Sequence, residues 1–131
     1  MADREELRVE GLAEPFSHYT DAVRVGDLLF VSGCVAVDAT GSVVGEGDVV
    51  AQARQVFTNI GLCLAAVGAG FGDVAKVTTF LTDIDDRARI NPVREEFFGP
   101  ARPASTLVEV SRLVLPELLI EVEAIARVPG R

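Results

Sequence analysis

Apolar positions recur along the chain with two periods, and the switch between them separates strands from helices. The first extended stretch is Ala22-Val23-Arg24-Val25, which runs into Gly26-Asp27, a dipeptide suited to a hairpin turn. Leu28-Leu29-Phe30-Val31 is wholly apolar and predicts a short buried strand. Val35-Ala36-Val37 continues it, turns at Asp38-Ala39-Thr40-Gly41 and returns as Ser42-Val43-Val44. After Asp48, a residue suited to capping a helix, Val49, Ala53, Val56, Ile60, Leu64 and Val67 recur every three or four positions. That stripe predicts a helix of about five turns, stopped at Gly68 and Gly70. Val77-Thr78-Thr79-Phe80-Leu81 reads as a strand, being β-branched and aromatic. Ile90, Val93, Phe97 and Phe98 predict a second amphipathic helix, with Pro92 in its first turns or dividing it. Beyond the loop Gly99-Pro100-Ala101-Arg102-Pro103, Ser105 to Val110 alternates as a strand, and Leu118 to Arg127 forms the last one.

The order β-β-(β)-α-β-α-β-β predicts an α+β chain: a two-layer sandwich, with a mixed six-stranded sheet and two helices on one face. A length of 131 residues fits one domain, residues 1–131, with residues 1–13 as a loosely held lead-in. The last strand is apolar on both faces except for Glu121 and Glu123. A chain of this size cannot bury both faces of a sheet alone, so self-association through the open face is expected.

Composition narrows the partners. No apolar run approaches the roughly 18 residues that span a bilayer, so no membrane partner is expected. Met1 to Glu6 is polar and acidic, unlike a secretory signal, and the expected compartment is the cytoplasm. The formal charge is -8 and the single lysine is Lys76, which argues against a nucleic-acid partner. Cys34 and Cys63 are far apart in sequence and His18 is the only histidine, so neither a disulfide framework nor a metal site is expected.

Glu121 and Glu123 stand at i and i+2 of one strand, so their side chains share a face, about 7 Å apart. A carboxylate in an apolar strand is costly to bury unpaired. Either one of them is a proton carrier in a pocket, with a raised pKa, or both are neutralised by arginines such as Arg112 or Arg127. Ser32-Gly33-Cys34 ends a strand, and Gly33 there marks a plain bulge or a close approach of backbone to a ligand. Tyr19, the only tyrosine, either holds a ligand by its phenol or packs with a wet tip. Asn91-Pro92 is by itself a helix-start signal.

Several segments together resemble the Rid/YjgF (reactive intermediate deaminase) family. They are Phe30-Val31-Ser32-Gly33, Ala51-Gln52-Ala53-Arg54-Gln55, Val74 to Asp83, Asn91 with Glu96-Phe97-Phe98, Val108-Glu109-Val110, and Ile120 to Ala126. They occur in family order from about residue 15 to residue 127. The resemblance implies a chorismate-mutase-like fold, a homotrimer, and ligand clefts between subunits. It also implies hydrolysis of small imines and enamines without metal or other cofactor. By position, Tyr19, Gly33, Asn91 and Glu121 match family pocket residues, with Ser32 beside them. Glu121 would orient or activate the attacking water, and backbone at Gly33 would contact the substrate.

The chain departs from the family at the arginine that grips a substrate carboxylate. Aligned on Val108-Glu109-Val110, that slot holds Ser105, and a frequent cysteine two positions later is Leu107. Serine cannot replace a two-pronged, charge-assisted bond. Pro100-Ala101-Arg102 repeats the motif three residues early, so Arg102 is a candidate to reach the cleft from its loop. Two functions follow. The first is an enzyme on imine, enamine or related carbon–nitrogen substrates, catalysing hydrolytic deamination or a related dehydration or cyclisation. The second is a trimer that binds a small molecule or a partner and has lost the chemistry. Nucleic-acid cleavage, also known in the family, fits the acidic composition least.

Overall fold

The computed structural model describes residues 3–130. Its strands are β1 (Arg4–Leu7), β2 (Ala22–Val25), β3 (Leu28–Val35), β4 (Val74–Leu81), β5 (Ala104–Glu109) and β6 (Ile120–Arg127); its helices are α1 (Val49–Ala65) and α2 (Arg87–Phe98). The strands form one sheet in the order β1-β2-β3-β6-β4-β5. Only β4 and β5 run parallel, and α2 is the crossover that this requires. The expected α+β class and mixed sheet of six strands with two helices are present.

The sixth strand is not the one the pattern indicated. Val37 and Val43 meet in an isolated bridge only. The strand comes instead from Arg4–Leu7, within the stretch expected to be a loose lead-in, which pairs with β2. The segment behind it is also tied down. Asp21 is buried and accepts from the Val9 N–H at 2.7 Å and from Arg8 Nε at 3.0 Å. The Thr20 hydroxyl donates to the Leu7 carbonyl at 2.8 Å.

α1 begins where Asp48 accepts from the Ala51 N–H, and its stripe from Val49 to Leu64 is buried against the sheet. Past its end, Gly68 takes a positive φ of 73°. α2 continues unbroken through Pro92. It is held on α1 by aromatic packing: the Phe57 ring centre lies 5.6 Å from Phe97 and 5.8 Å from Phe98. Arg54 adds a pair of bonds to Glu96, at 2.7 and 2.8 Å. These contacts fix where α2 presents Asn91.

The helices cover one face of the sheet. β3 was expected to be buried throughout, but it alternates: Leu29 and Val31 are in the core, whereas Leu28 and Phe30 are 45% and 40% exposed. With Val25 and Val108 they leave exposed apolar groups on the uncovered face. The chain thus covers one face of its sheet and leaves the other open.

Gln52 stitches the layers together. Its amide donates to the carbonyls of Gly45 (3.2 Å) and Glu117 (2.9 Å) and accepts from the Leu119 N–H (2.8 Å), in full burial. Gln52→Leu strands these three backbone groups in a dry site. It should cost about 2–4 kcal/mol, read as a drop in Tm of roughly 10 °C by calorimetry or circular dichroism.

Candidate functional site

The site starts from an irregularity in β3. Val31 pairs with Ala124 and Cys34 with Val122, so Ser32 and Gly33 together oppose Glu123. This two-against-one count is a β-bulge. Ser32 is held within it, donating its hydroxyl to the Thr20 carbonyl at 2.6 Å and its N–H to the Asp21 carbonyl at 3.0 Å. Gly33 is where the absence of a side chain matters. A Cβ there would overlap Oε2 of Glu121 and sit 2.9 Å from its Cδ. The carboxyl group of Glu121 therefore lies directly on the Gly33 backbone. The bulge reading of Gly33 holds, and the group that lies against its backbone within this chain is the Glu121 carboxyl.

Neither arginine proposed to neutralise Glu121 does so. Arg127 pairs with Asp73 at 2.8 Å, and Arg112 is exposed. Among the described residues no cation forms an ion pair with Glu121 or Glu123. Burial of Glu121, with a smaller contribution from the charge of Glu123, holds its carboxyl above the ordinary carboxylate range. Burial therefore disfavours its ionised form.

Glu121, Gly33, Ser32 and Tyr19 line one cleft of about 300 Å³, together with Phe16 and Val114. Tyr19 Oη accepts from the Phe16 N–H at 3.1 Å, which sets the wall of the cleft. Phe16, Tyr19 and Val114 are 45%, 44% and 57% exposed. The rim is apolar and open, as for a surface that meets another. Sequence reasoning missed Phe16 and Val114. Val114 lies in the apolar run Leu113-Val114-Leu115, outside any strand, which was the available signal.

The remaining candidates lie elsewhere. Asn91 and Arg102 line a second cavity, of about 690 Å³, between α2 and the loop 99–103. Arg102 is exposed there. Ser105 is on the neighbouring edge strand β5, where its hydroxyl accepts from Arg94 Nη2 at 2.8 Å. Leu107, two residues on, is partly buried against the core. Glu121 is separated from this group by β4, since Phe80 pairs with Glu121 on one side and Val108 on the other. One chain therefore places Tyr19, Ser32, Gly33 and Glu121 on one cleft and Asn91 and Arg102 on another, with Ser105 and Leu107 on the strand beside the second. Arg94, three residues after Asn91 on the same helix face, belongs with the second cleft and was also missed.

The neighbouring Cys63 thiol, together with burial, holds the Cys34 thiol well above the usual range, which disfavours its thiolate.

A family model described as Endoribonuclease L-PSP matches residues 11–128. The chain is 40% identical over 123 residues to the 2-iminobutanoate/2-iminopropanoate deaminase of Salmonella typhimurium, covering 92% of this chain and 94% of that protein. It is 36% identical over 125 residues to the 3-aminoacrylate deaminase RutC of Acinetobacter baylyi, covering 95% and 98%. The crystal structure of the YjgF gene product from E. coli superposes with a TM-score of 0.86 at 35% identity, covering 94% of this chain and 98% of that one. On the strength of the motifs, the fold and these likenesses, the chain belongs to the Endoribonuclease L-PSP family, the YjgF/Rid group.

Proposed function

We propose that this chain is a cofactor-independent hydrolase of small imines and enamines that works as a homotrimer, with its sites between subunits. The observation that carries the reading is Glu121: a carboxyl without a cation, pressed on Gly33 at the base of an apolar-rimmed cleft. Two relatives named as deaminases of an aminoacrylate and of imino acids support the substrate class. The separation of the candidate residues supports the assembly. Tyr19, Ser32, Gly33 and Glu121 of one copy would face Asn91, Arg102, Ser105 and Leu107 of the next. The apolar open face supplies a surface for the contact.

The chemistry needs one proton carrier. Ionised Glu121 takes a proton from water as the water oxygen bonds to the imine carbon. The carbon–nitrogen π pair moves to nitrogen, and Glu121 passes it that proton to give a neutral carbinolamine. Glu121, ionised again, then takes the carbinol hydroxyl proton and delivers it to the nitrogen as the carbon–nitrogen bond breaks, and ammonia and a carbonyl compound leave. Overall one imine and one water give one carbonyl and one ammonia.

A binding trimer without chemistry is the competing reading, and Ser105 in place of an arginine favours it. RNA cleavage, suggested by the name of the family model, sits poorly with a formal charge of -8.

The test is ammonia release from 2-aminoacrylate generated in place by a pyridoxal-phosphate dehydratase. The protein should accelerate it, and Glu121→Gln should lower kcat by at least about 100-fold. Absence of acceleration by the wild type would favour the binding reading. Because the base must be ionised, kcat/KM should rise with pH through an inflection above the ordinary glutamate value of 4.5. Stability should follow the opposite sign. Folding favours protonated Glu121, so its contribution is intact below the ordinary carboxylate range and is lost as pH climbs through the raised value. Glu121→Gln should therefore melt no lower than wild type at pH 7, and the difference should vanish at pH 4.

Gly33→Ala tests the contact directly. The added methyl must displace the carboxyl, so kcat should fall at least about tenfold while Glu121 is still present. Light scattering should give three chains per particle. Phe30→Lys, placing a charge on the open face, should break the particle up and abolish activity.

A further inference from the structure

Arg94 is an arginine without an anion. Among the described residues no carboxylate lies within ion-pair distance of it, including Glu95, which follows it on α2 and lines the same cavity. Arg4, Arg8, Arg54, Arg89 and Arg127 have carboxylate partners, whereas among the described residues Arg24, Arg87, Arg102 and Arg112, like Arg94, have none; of these unpaired arginines Arg94 is the one that is both partly buried and lines this cavity. The one side-chain hydrogen bond of Arg94 runs from Nη2 to the Ser105 hydroxyl, at 2.8 Å. Partial burial holds its guanidinium below its ordinary range, and Arg94 is the only arginine among the described residues so affected. A neutral hydroxyl fixes a guanidinium in place but leaves its charge unanswered. Four of its five N–H groups remain for another acceptor. Keeping a cation partly desolvated with no counter-charge is costly, and the cost is relieved when an anion arrives.

The position of that bond is informative. Ser105 occupies the slot that the family resemblance, aligned on Val108-Glu109-Val110, gives to an arginine. Here the end of the Arg94 side chain reaches the same slot from the helix above. Asn91, one helical turn earlier, lines the same cavity, and Arg102 stands in the loop that closes it.

We propose that Arg94 is the residue that recognises the substrate carboxylate in this protein, with Ser105 as the hydroxyl that positions it. The substrate class is then a 2-imino or 2-amino-2-enoic acid, held by two guanidinium N–H groups through its carboxylate. Arg94 is a specificity-determining residue and Ser105 a positioning residue. This assignment rests on the imine-hydrolase reading for the reaction, but not for the binding.

Two measurements separate the two ideas. The first is binding of 2-oxobutanoate and of its methyl ester, by calorimetry. Arg94→Gln should weaken the acid on the order of 10- to 100-fold and leave the ester within about twofold of its wild-type value. Ser105→Ala should weaken the acid by a smaller factor. Arg94→Gln/Ser105→Arg, which returns a guanidinium to the strand, should recover most of the loss. The second is ammonia release from 2-iminobutanoate generated in place, where the Arg94→Gln loss should fall in KM more than in kcat. Acid binding that depends on Arg94 in a protein that releases no ammonia would uphold the assignment and sink the hydrolase reading. Imine hydrolysis with acid binding and KM indifferent to Arg94→Gln would overturn the assignment and leave the hydrolase reading standing, with Arg102 as the next residue to change. No acid binding by the wild type would also overturn it. So would losses of acid and ester that match one another, because a merely structural role for Arg94 would give that pattern.

Discussion

The carboxyl group of Glu121 rests on the backbone of Gly33, and much of the molecule is arranged to allow it. The bulge in β3 provides the approach, by setting Ser32 and Gly33 against a single residue of β6. Two bonds from Ser32 to the backbone of Thr20 and Asp21 keep the bulge in shape. Those two residues are themselves anchored to the N-terminal segment through Leu7 and Val9. The N-terminal strand, which contributes nothing to the cleft directly, thus fixes the geometry on which the carboxyl depends. An ionisable group placed this way is destabilising when charged, and such groups concentrate at functional sites.

A second constraint is the incompleteness of the single chain. Its helices cover one face of the sheet and leave Val25, Leu28, Phe30 and Val108 on the other. Its first cleft has an acid and no cation; its second has two arginines and one carboxylate, on Glu95. The two clefts are complementary in charge and lie on different parts of the chain, with β4 between Glu121 and β5. On the proposed assembly, the contact that buries the apolar face also joins the clefts. Folding of the open face and completion of the site would then be one event.

Helices and inner strands were legible because their signals are local. The α1 stripe, its Asp48 cap and the β-branched run of β4 each lie within one window of sequence. β1 was not legible: Arg-Glu-Glu-Leu has no strand signature, and the segment is extended because β2 offers a free edge to it. β3 misled in the opposite way. An apolar run on both faces marks a strand buried twice, and within one chain only one face is covered. Of the site, Glu121 and Gly33 were found because a charge and a glycine are anomalous in apolar strands. Their contact was not, because it depends on register across the sheet. Arg94 gave no anomaly at all. A charged residue on an amphipathic helix is ordinary, and only its neighbours show that no carboxylate pairs with it.

That last case bears on how a missing residue is read. Position 105 is a point on an edge strand, and a side chain rooted there can sweep only a limited region beside α2. Arginine is long enough to serve the same region from a helix root, provided something holds its end. Serine at 105 supplies that hold while occupying almost no space, which a leucine or valine there would not do. On the proposed assignment, the slot that the resemblance gives to a guanidinium instead receives one from α2. In a chain with a formal charge of -8, long-range attraction works against an anionic substrate, so recognition must come from a cation at contact distance. An arginine whose charge is spent on no carboxylate, and whose end is fixed by a neutral partner, meets that requirement at the lowest reorganisation on binding.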